Sequence, residues 1–394
     1  MLTQRMNRRI FLQAIGVAFA GCVAGRQPAQ ILGVKLYLNQ DNLQARYPDY
    51  DRLVDELKAA GLNTLFTTLY EGKKAFYASG ILPDRDPAID LVKLRDSAKK
   101  QQVTFGAICQ SFYDADTLAG RPDLVPVDQH GDTTFVNWQK LVCPSERAYR
   151  QYKLSIVKEI ARTLHPDVIS LDFIRFPTTW ELIPADARPE NIRNYCFCDR
   201  CLTGFQRAFS VAIPKELDTT ARKAEWILKN HSAEWVKWKT DLITSFVEEA
   251  AREVRQIDPA IKISIHVLPW SESTFGNALV WNAGQDVAAL AAHVDYLSPM
   301  TYHKLIGHPD DYIRSLTAEL ARKTNKRILP SIQAAQILTE GEVSAGEFKQ
   351  SLEFALQAPS SGTLIFQWDY LRPDDQASAL RKEKQQIVRA AASR

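Results

Sequence analysis

Short apolar runs alternate with longer amphipathic segments along most of the chain. Runs rich in β-branched and aromatic residues predict strands, and segments with apolar residues three and four positions apart predict helices. The predicted strands cover residues 33–39, 63–70, 103–112, 168–177, 262–270, 294–303, 327–334 and 362–371. The predicted helices cover residues 50–60, 90–101, 145–164, 226–256, 285–293, 310–323 and 344–357. Eight strands that alternate with helices predict an α/β fold of the (β/α)8 TIM-barrel type.

This pattern divides the chain into an N-terminal signal and linker (1–32), a barrel (33–376) and a charged helical tail (377–394). An insertion rich in Pro, Asp and Arg, residues 178–224, follows the fourth strand. The chain has 394 residues, 45% of them hydrophobic, which is enough for one large core. The net charge is +3 with both signs spread along the chain, so no basic stripe indicates nucleic-acid binding.

The first residues carry an export pattern. Residues 7–9 are Asn-Arg-Arg, and a short apolar run follows them up to residue 20. The run is too short to span a bilayer, and the pattern is typical of a twin-arginine (Tat) signal. Residues 20–22 are similar to a lipoprotein box, which predicts lipidation of Cys22; cleavage near residues 18–20 without lipidation is the alternative. We therefore expect an exported protein of the periplasm or cell envelope, which meets the membrane only through a lipid anchor.

Chemically active side chains follow the predicted strands, at the face where barrel active sites lie. Asp172, near the end of the fourth strand, is the main catalytic candidate, as nucleophile or base; a structural cap of the next turn is the alternative. Asp369, beside a tryptophan, and Glu272 are the candidate acids. The candidate substrate-binding residues are Arg175, His266, Trp270, Tyr302, His303, Gln367, Trp368, Tyr113 and Asp114. For each of these residues, a satisfied polar group inside the barrel is the structural alternative.

Acids mixed with Trp and Tyr are typical of a carbohydrate site. Aromatic faces stack on sugar rings, and hydrolysis of a glycosidic bond needs two carboxyl groups, one of which keeps its proton at neutral pH. The sequence therefore predicts cleavage of a poly- or oligosaccharide by paired carboxylates. A carbohydrate-binding barrel without activity is the alternative. A metal-dependent deacetylase lacks support, because no His-x-x-x-His or similar spacing is present.

Four cysteines have the spacing of a metal site. Cys196, Cys198 and Cys201 lie in the insertion, and Cys143 precedes the helix that leads into the fourth strand. Four thiolates complete a tetrahedral structural zinc site, whereas disulfide pairing is the alternative in an exported protein. Cys109 lies alone on the third strand and is expected to be a core residue. Neither an organic cofactor nor an open catalytic metal position is expected.

These residues carry a resemblance to known families. The cysteine pattern resembles the zinc-binding cysteines of clan A bacterial β-galactosidases. Residues 171–177 and 295–302 are similar to the fourth and sixth strands of uncharacterised bacterial glycoside hydrolase-like barrels. The likeness covers roughly residues 33–374 and implies a (β/α)8 barrel with glycosidase activity.

The catalytic residues of clan A enzymes do not carry over. Those enzymes place a Glu on the fourth strand and another on the seventh, whereas here the fourth strand carries Asp172 and the seventh has no acid. The sixth strand also resembles that of family 18 chitinases up to Tyr302 but has His303 where they have Asp. Substrate-assisted cleavage with help from Tyr302 therefore stays open beside the paired-carboxylate hypothesis.

Overall fold

The computed structural model describes residues 30–37, 47, 49–133, 138–373 and 378–393. The predicted export signal and the predicted lipidation site, Cys22, lie outside these residues and stay predictions. Within the described part of the chain, no helix combines the length and the apolar character needed to cross a membrane.

Eight parallel strands form the barrel that the sequence predicts. They are β1 (Ile31–Leu36), β2 (Thr64–Thr68), β3 (Thr104–Gln110), β4 (Val168–Asp172), β5 (Lys262–Val267), β6 (Tyr296–Pro299), β7 (Arg327–Ile328 and Ser331–Gln333) and β8 (Gly362–Phe366). Each strand pairs with the next in the chain, and β8 pairs with β1. Pro330 interrupts β7, so its first part pairs with β6 and its second part with β8. The fold class is therefore confirmed.

One helix of the outer ring follows each strand. The ring consists of α1 (Tyr50–Ala59), α2 (Leu91–Lys100), α3 (Arg147–Leu164), α4 (Ser232–Ile257), α5 (Val287–Ala291), α6 (Tyr312–Thr324), α7 (Ala345–Leu356) and α8 (Ala379–Ala392). Their apolar faces and the outward-facing strand positions form the main core. The charged C-terminal segment contributes α8, which is anchored because the buried Lys384 ammonium donates to the carbonyl of Ala334 at 2.6 Å.

Shorter elements decorate the barrel. Further helices are Ala115–Gly120, Asp199–Phe209, Thr220–Asn230 and Ala278–Trp281, and a small sheet after β2 joins Tyr70–Glu71, Lys74–Ala75 and Asp84–Arg85. Single 3-10 turns lie at Pro122–Leu124, Trp180–Leu182, Pro189–Asn191, Thr274–Gly276 and Trp368–Tyr370. The predicted single helix 226–256 is two helices, because His231 leaves the helical conformation between them.

The inside of the barrel changes from apolar to polar along its axis. Phe66, Ile108, Val168, Leu329 and Leu364 form a separate apolar cluster inside the barrel. Because side chains alternate along a strand, positions two and four residues farther along also point inward. On several strands those positions carry polar groups, among them Lys35, Asp172 and His266. The polar half of the lumen therefore lies at the carboxyl face, where barrels carry their chemistry.

Gly362 closes the barrel between β8 and β1. Its φ is +131°, and a Cβ at this position would overlap the backbone of Ile31. We expect Gly362→Ala to lower the free energy of unfolding by about 3 kcal/mol or more, because an L side chain is strained there and clashes with backbone. Urea denaturation followed by circular dichroism measures this change. Gly120→Ala is the matched control, since nothing lies within 4 Å of its Cβ position. Equal stability of the two variants would contradict the assigned role of Gly362.

Candidate active site

A cavity of about 480 Å³ opens at the carboxyl face of the barrel. We call it the mouth cavity. It falls within the size range of small-ligand sites, roughly 300–1,000 Å³. Its walls combine charged and amide groups with a large aromatic surface; among its lining residues are Lys35, Tyr37, Glu71, Tyr113, Trp138, Asp172, Arg175, Trp180, Glu181, Tyr302, Phe366, Gln367 and Tyr370. The predicted residues Asp172, Arg175, Tyr302, Gln367 and Tyr113 thus share one cavity.

Asp172 is held by the abrupt end of β4. The strand stops at Asp172, earlier than predicted, because Phe173 adopts a left-handed conformation with φ +50°. The Phe173 amide donates to Asp172 Oδ1 at 2.7 Å, so one carboxylate oxygen also caps this turn. The side chain is partly exposed to the mouth cavity. Asp172 therefore caps the turn after β4, as the structural alternative predicted, and is also accessible to a ligand.

Lys35 is a buried cation on the cavity floor that sequence reasoning missed. Its ammonium donates to the Tyr302 hydroxyl at 3.3 Å. Burial lowers the pKa of Lys35 to about 8, and the negative charge of Asp172 opposes that shift. The sequence signal was a lysine between Val34 and Leu36, both of which are buried. A lysine in a buried strand is unusual, because lysine is rarely buried unless it is paired.

His266 lies beneath this floor. It is buried, and its Nδ1 lies 3.0 Å from the Ser170 hydroxyl. Burial, reinforced by the charge of Lys35, lowers the pKa of His266 to about 3, so the imidazole is neutral at physiological pH. Its Nε2 has no hydrogen-bond partner among the described residues. His266 does not line the mouth cavity, so its position supports the floor and offers no direct contact to a ligand.

Glu181 is a second carboxyl group in the mouth cavity. It lies on the turn Trp180–Leu182 in the insertion that follows β4. Burial raises its pKa to about 7, and the charge of Asp172 acts in the same direction, while the charge of Arg175 opposes it. Glu181 therefore holds its proton at neutral pH far more readily than an exposed glutamate. Sequence reasoning missed it because this irregular segment has no periodicity that would place its side chains.

An amide and a guanidinium fix Glu181 in place. Gln139 Nε2 donates to Glu181 Oε2 at 2.6 Å, and Gln139 Oε1 accepts from both terminal nitrogens of Arg175 at 3.5 Å. Arg175 is buried and also donates to the carbonyls of Phe176 and Thr178. The guanidinium therefore sets which way the Gln139 amide points, and the amide in turn orients the Glu181 carboxyl.

Aromatic rings line the rest of the cavity. Trp180 packs against Tyr302 with centroids 6.2 Å apart, and Tyr113 packs against Phe173 at 5.0 Å. Trp138 is 39% exposed although it is a large apolar side chain. Such faces are the surfaces on which flat apolar groups, including the apolar faces of sugar rings, stack.

The remaining predicted residues lie outside the mouth cavity. Glu272 is exposed and ion-paired with Lys323 at 3.4 Å, while Asp369 is buried and ion-paired with Arg372 at 3.2 Å. Asp114 caps the helix Ala115–Gly120 and forms a buried ion pair with Lys153. The others are buried side chains packed in the core or hydrogen-bonded there: Trp270, His303 and Trp368. Glu272 and Asp369 therefore do not share the mouth cavity with Asp172, whereas Glu181 does.

The four predicted cysteines form one cluster. Cys143, Cys196, Cys198 and Cys201 place their sulfur atoms within 4.8 Å of one another, with no disulfide among them. Cys143 Sγ lies 3.7 Å from Cys198 Sγ and 3.5 Å from Cys201 Sγ. A tetrahedral zinc with Zn–S bonds of about 2.3 Å places its sulfurs about 3.8 Å apart, so the cluster fits such an ion. These four cysteines could bind a metal, and four sulfur ligands would leave it no open position.

The raised pKa of Glu181 makes a prediction about stability. Its folded pKa of about 7 exceeds the ordinary value of 4.5, so the folded state binds the proton more tightly than the unfolded state. This stabilisation is fully present below pH 4.5 and is lost as the pH rises to 7. Glu181→Gln should therefore gain stability relative to the wild type across that window, on the order of 3 kcal/mol.

Urea denaturation at pH 4.5, 6 and 8 measures this difference. Glu272→Gln, which removes a carboxyl group from the exposed surface, serves as the control and should follow the wild-type curve. A constant offset between Glu181→Gln and the wild type at all three pH values would show that Glu181 is not a proton-holding carboxyl.

Comparison with solved structures identifies the fold class independently. The glycoside hydrolase domain of PgaB (BpsB) from Bordetella bronchiseptica is 14% identical, with a TM-score of 0.64 over 88% of this chain and 95% of that chain. A β-galactosidase from Bacillus circulans sp. alkalophilus is 13% identical, with a TM-score of 0.63 over 92% of this chain and 55% of that one. The α-L-fucosidase isoenzyme 2 from Paenibacillus thiaminolyticus is 13% identical, with a TM-score of 0.60 over 92% and 49%. At these identities the likeness shows the fold alone.

The family is shown by sequence. None of the curated proteins compared with the chain matches it. The model of a family described as "Putative glycosyl hydrolase domain" matches residues 70–315, which include β3 to β6, the insertion and the four cysteines. Because this match spans more than half of the sequence, the chain belongs to that glycosyl hydrolase domain family.

Proposed function

We propose that this protein hydrolyses glycosidic bonds, with Asp172 and Glu181 as the paired carboxyl groups. The proposal rests on the different environments of these two carboxyl groups within one cavity. Asp172 is partly exposed and stabilised by an amide, whereas burial raises the pKa of Glu181 to about 7. A buried carboxyl group with a raised pKa beside a partly exposed carboxyl group is the usual arrangement for an acid and its catalytic partner.

Each residue has a separate role in the proposed hydrolysis. Glu181 gives its proton to the glycosidic oxygen as the bond breaks, and Asp172 stabilises the opposite face of the sugar, either by attacking the anomeric carbon or by activating water. Lys35 and Tyr302 hold the sugar hydroxyls near Asp172, since both line the same floor. The aromatic walls stack on neighbouring rings and exclude water. The anomer first released, seen by proton NMR, distinguishes retention from inversion.

Family membership and the glycoside hydrolase fold support a carbohydrate substrate. We propose that it is an envelope or extracellular polysaccharide, because the sequence begins with the twin-arginine pattern at residues 7–9 and the lipoprotein-like box ending at Cys22. In this proposal the Tat machinery exports the folded chain and Cys22 carries the lipid anchor. Labelling with a clickable fatty acid, with and without Cys22→Ala, tests the anchor.

The paired roles make a prediction about rate. Turnover should fall as the pH rises through about 7, because Glu181 then loses the proton that it must donate. Asp172→Asn and Glu181→Gln should each lower kcat by a factor of about 10²–10⁴ on ordinary substrates. Dinitrophenyl glycosides, whose leaving group needs no proton, should restore turnover in Glu181→Gln but not in Asp172→Asn. Glu272→Gln should match the wild type.

Reducing-sugar release over a polysaccharide and aryl-glycoside panel provides the measurement. Full activity in Asp172→Asn would remove this site from the mechanism. Binding of glycans by a wild type that cleaves none of them would instead establish a carbohydrate-binding barrel without activity.

We propose that the four-cysteine cluster holds one structural zinc ion per chain. The all-sulfur set and the sulfur spacing support this assignment. Plasma mass spectrometry of the purified protein should find about one zinc, and Cys201→Ser should lose most of it together with stability. Cys109→Ser, which removes a buried thiol outside the cluster, is the control and should retain the metal.

Thiol titration separates zinc from disulfides. A zinc-bound protein, denatured with chelator but without reductant, exposes all four cluster thiols, whereas a disulfide-bonded one exposes two or none of them. The second result would overturn the zinc assignment.

A further inference from the structure

A second cavity lies beside the mouth cavity, within the insertion that follows β4. Its volume is about 770 Å³, and nearly all of its wall comes from residues 177–195. We call it the insertion cavity. Neither the barrel strands nor the proposed catalytic pair contributes to it, so the proposed function leaves it without a role.

One thin segment separates the two cavities. Thr178, Thr179, Leu182 and Ile183 line the insertion cavity, whereas the intervening Trp180 and Glu181 line the mouth cavity. Gln139 lines the insertion cavity while its amide donates to Glu181. The proposed proton donor therefore lies on the segment between the two cavities.

The lining of the insertion cavity suits carbohydrate. Thr178 is only 3% exposed, and its hydroxyl has no hydrogen-bond partner among the described residues. A buried hydroxyl without a partner is costly, and because Thr178 lines the cavity, rotation of its side chain would let a ligand hydroxyl satisfy it. Leu182 is 53% exposed, an unusual exposure for a large apolar side chain, and Asn191 and Arg188 add polar groups. Apolar contacts bordered by hydrogen-bonding groups match a sugar ring, which has apolar faces and polar edges.

We infer that the insertion cavity binds the sugar units of the same glycan that lie beyond the bond at Glu181. The inference rests on the proposed function and extends it, since it makes the protein selective for long chains over short ones. A disaccharide fills the mouth cavity alone, whereas a longer oligosaccharide also reaches the insertion cavity and gains its contacts.

Binding to Asp172→Asn tests this inference, because the proposed loss of turnover lets intact oligosaccharides be titrated. The probes are cello-, chito- and galacto-oligosaccharides of two to six units, measured by isothermal titration calorimetry. Affinity should rise at least tenfold from two units to six. Adding Ala187→Trp, which fills the insertion cavity, should abolish this gain and leave disaccharide affinity unchanged. Ala185→Trp is the matched control, since Ala185 is exposed and does not line the cavity.

A smaller substitution keeps the inference testable if the Ala187→Trp variant does not fold. Thr178→Val keeps the side-chain shape but removes the unpaired hydroxyl, and it should lower the affinity for six units about fivefold to tenfold. Thr178→Ser keeps the hydroxyl and should restore most of that affinity.

The outcomes separate this inference from the proposed function. Hydrolysis by the wild type without a length-dependent gain, or a gain that survives Ala187→Trp, overturns the inference alone. A length-dependent gain in a protein that cleaves nothing supports the insertion cavity and overturns the hydrolase. If neither the wild type nor Asp172→Asn binds or cleaves any probe, both the inference and the proposed function are overturned.

Discussion

The candidate site depends on a single junction between two long segments. The segment after β3 carries Gln139 and Cys143, and the insertion after β4 carries Glu181 and the other three cysteines. Neither segment has a barrel strand to hold it, and ordering a loop of this length costs conformational entropy that local contacts must offset. The cysteine cluster joins the two segments at one point. Lys239 on α4 ties the insertion to the segment after β5 as well, because its buried ammonium donates to Asn194 Oδ1 and to the carbonyls of Trp281 and Asn282. The cysteine cluster brings the two segments together, and the hydrogen bond between Gln139 and Glu181 joins the same two segments.

That hydrogen bond is one of several effects that set how readily Glu181 gives up its proton. Burial favours the neutral carboxyl, whereas the positive charge of Arg175 and the Gln139 amide favour the carboxylate. Burial is the larger effect, and the balance lies near neutral pH. An acid with a much higher pKa would donate its proton too slowly. A glutamic acid with the ordinary pKa would already have lost its proton at neutral pH, before the substrate bound. The charge of Arg175 acts on Glu181 directly, and its guanidinium also lies 3.5 Å from the carbonyl oxygen of Gln139.

The barrel and half of this site could be predicted from sequence, for physical reasons. Strand and helix periodicities follow directly from burial, so the eight strands were recognisable, and Asp172 was recognisable as a carboxylate at a strand end. The cysteine spacing indicated the cluster because four sulfurs in that pattern have few other uses. Glu181 lies in an irregular segment, where no period relates position to direction, so only the folded chain shows what it faces. Neighbouring tryptophans made Asp369 and Glu272 candidates for the catalytic acid. Both tryptophans are buried, however, and the two carboxylates form ion pairs with arginine and lysine side chains outside the cavity.

Lys35 bears on the carbohydrate ligand proposed for the lumen. A buried ammonium and a nearby carboxylate normally form a direct ion pair, because each then recovers part of its lost hydration. Lys35 and Asp172 influence one another electrostatically, yet within the described part of the chain the hydrogen bond of Lys35 is to the Tyr302 hydroxyl. Both side chains line the mouth cavity, so the space between them is open to a ligand. A sugar whose hydroxyls accept from the ammonium and donate to the carboxylate would complete this unfinished pair, and the cost of leaving the two charges apart would be recovered only when the substrate is bound.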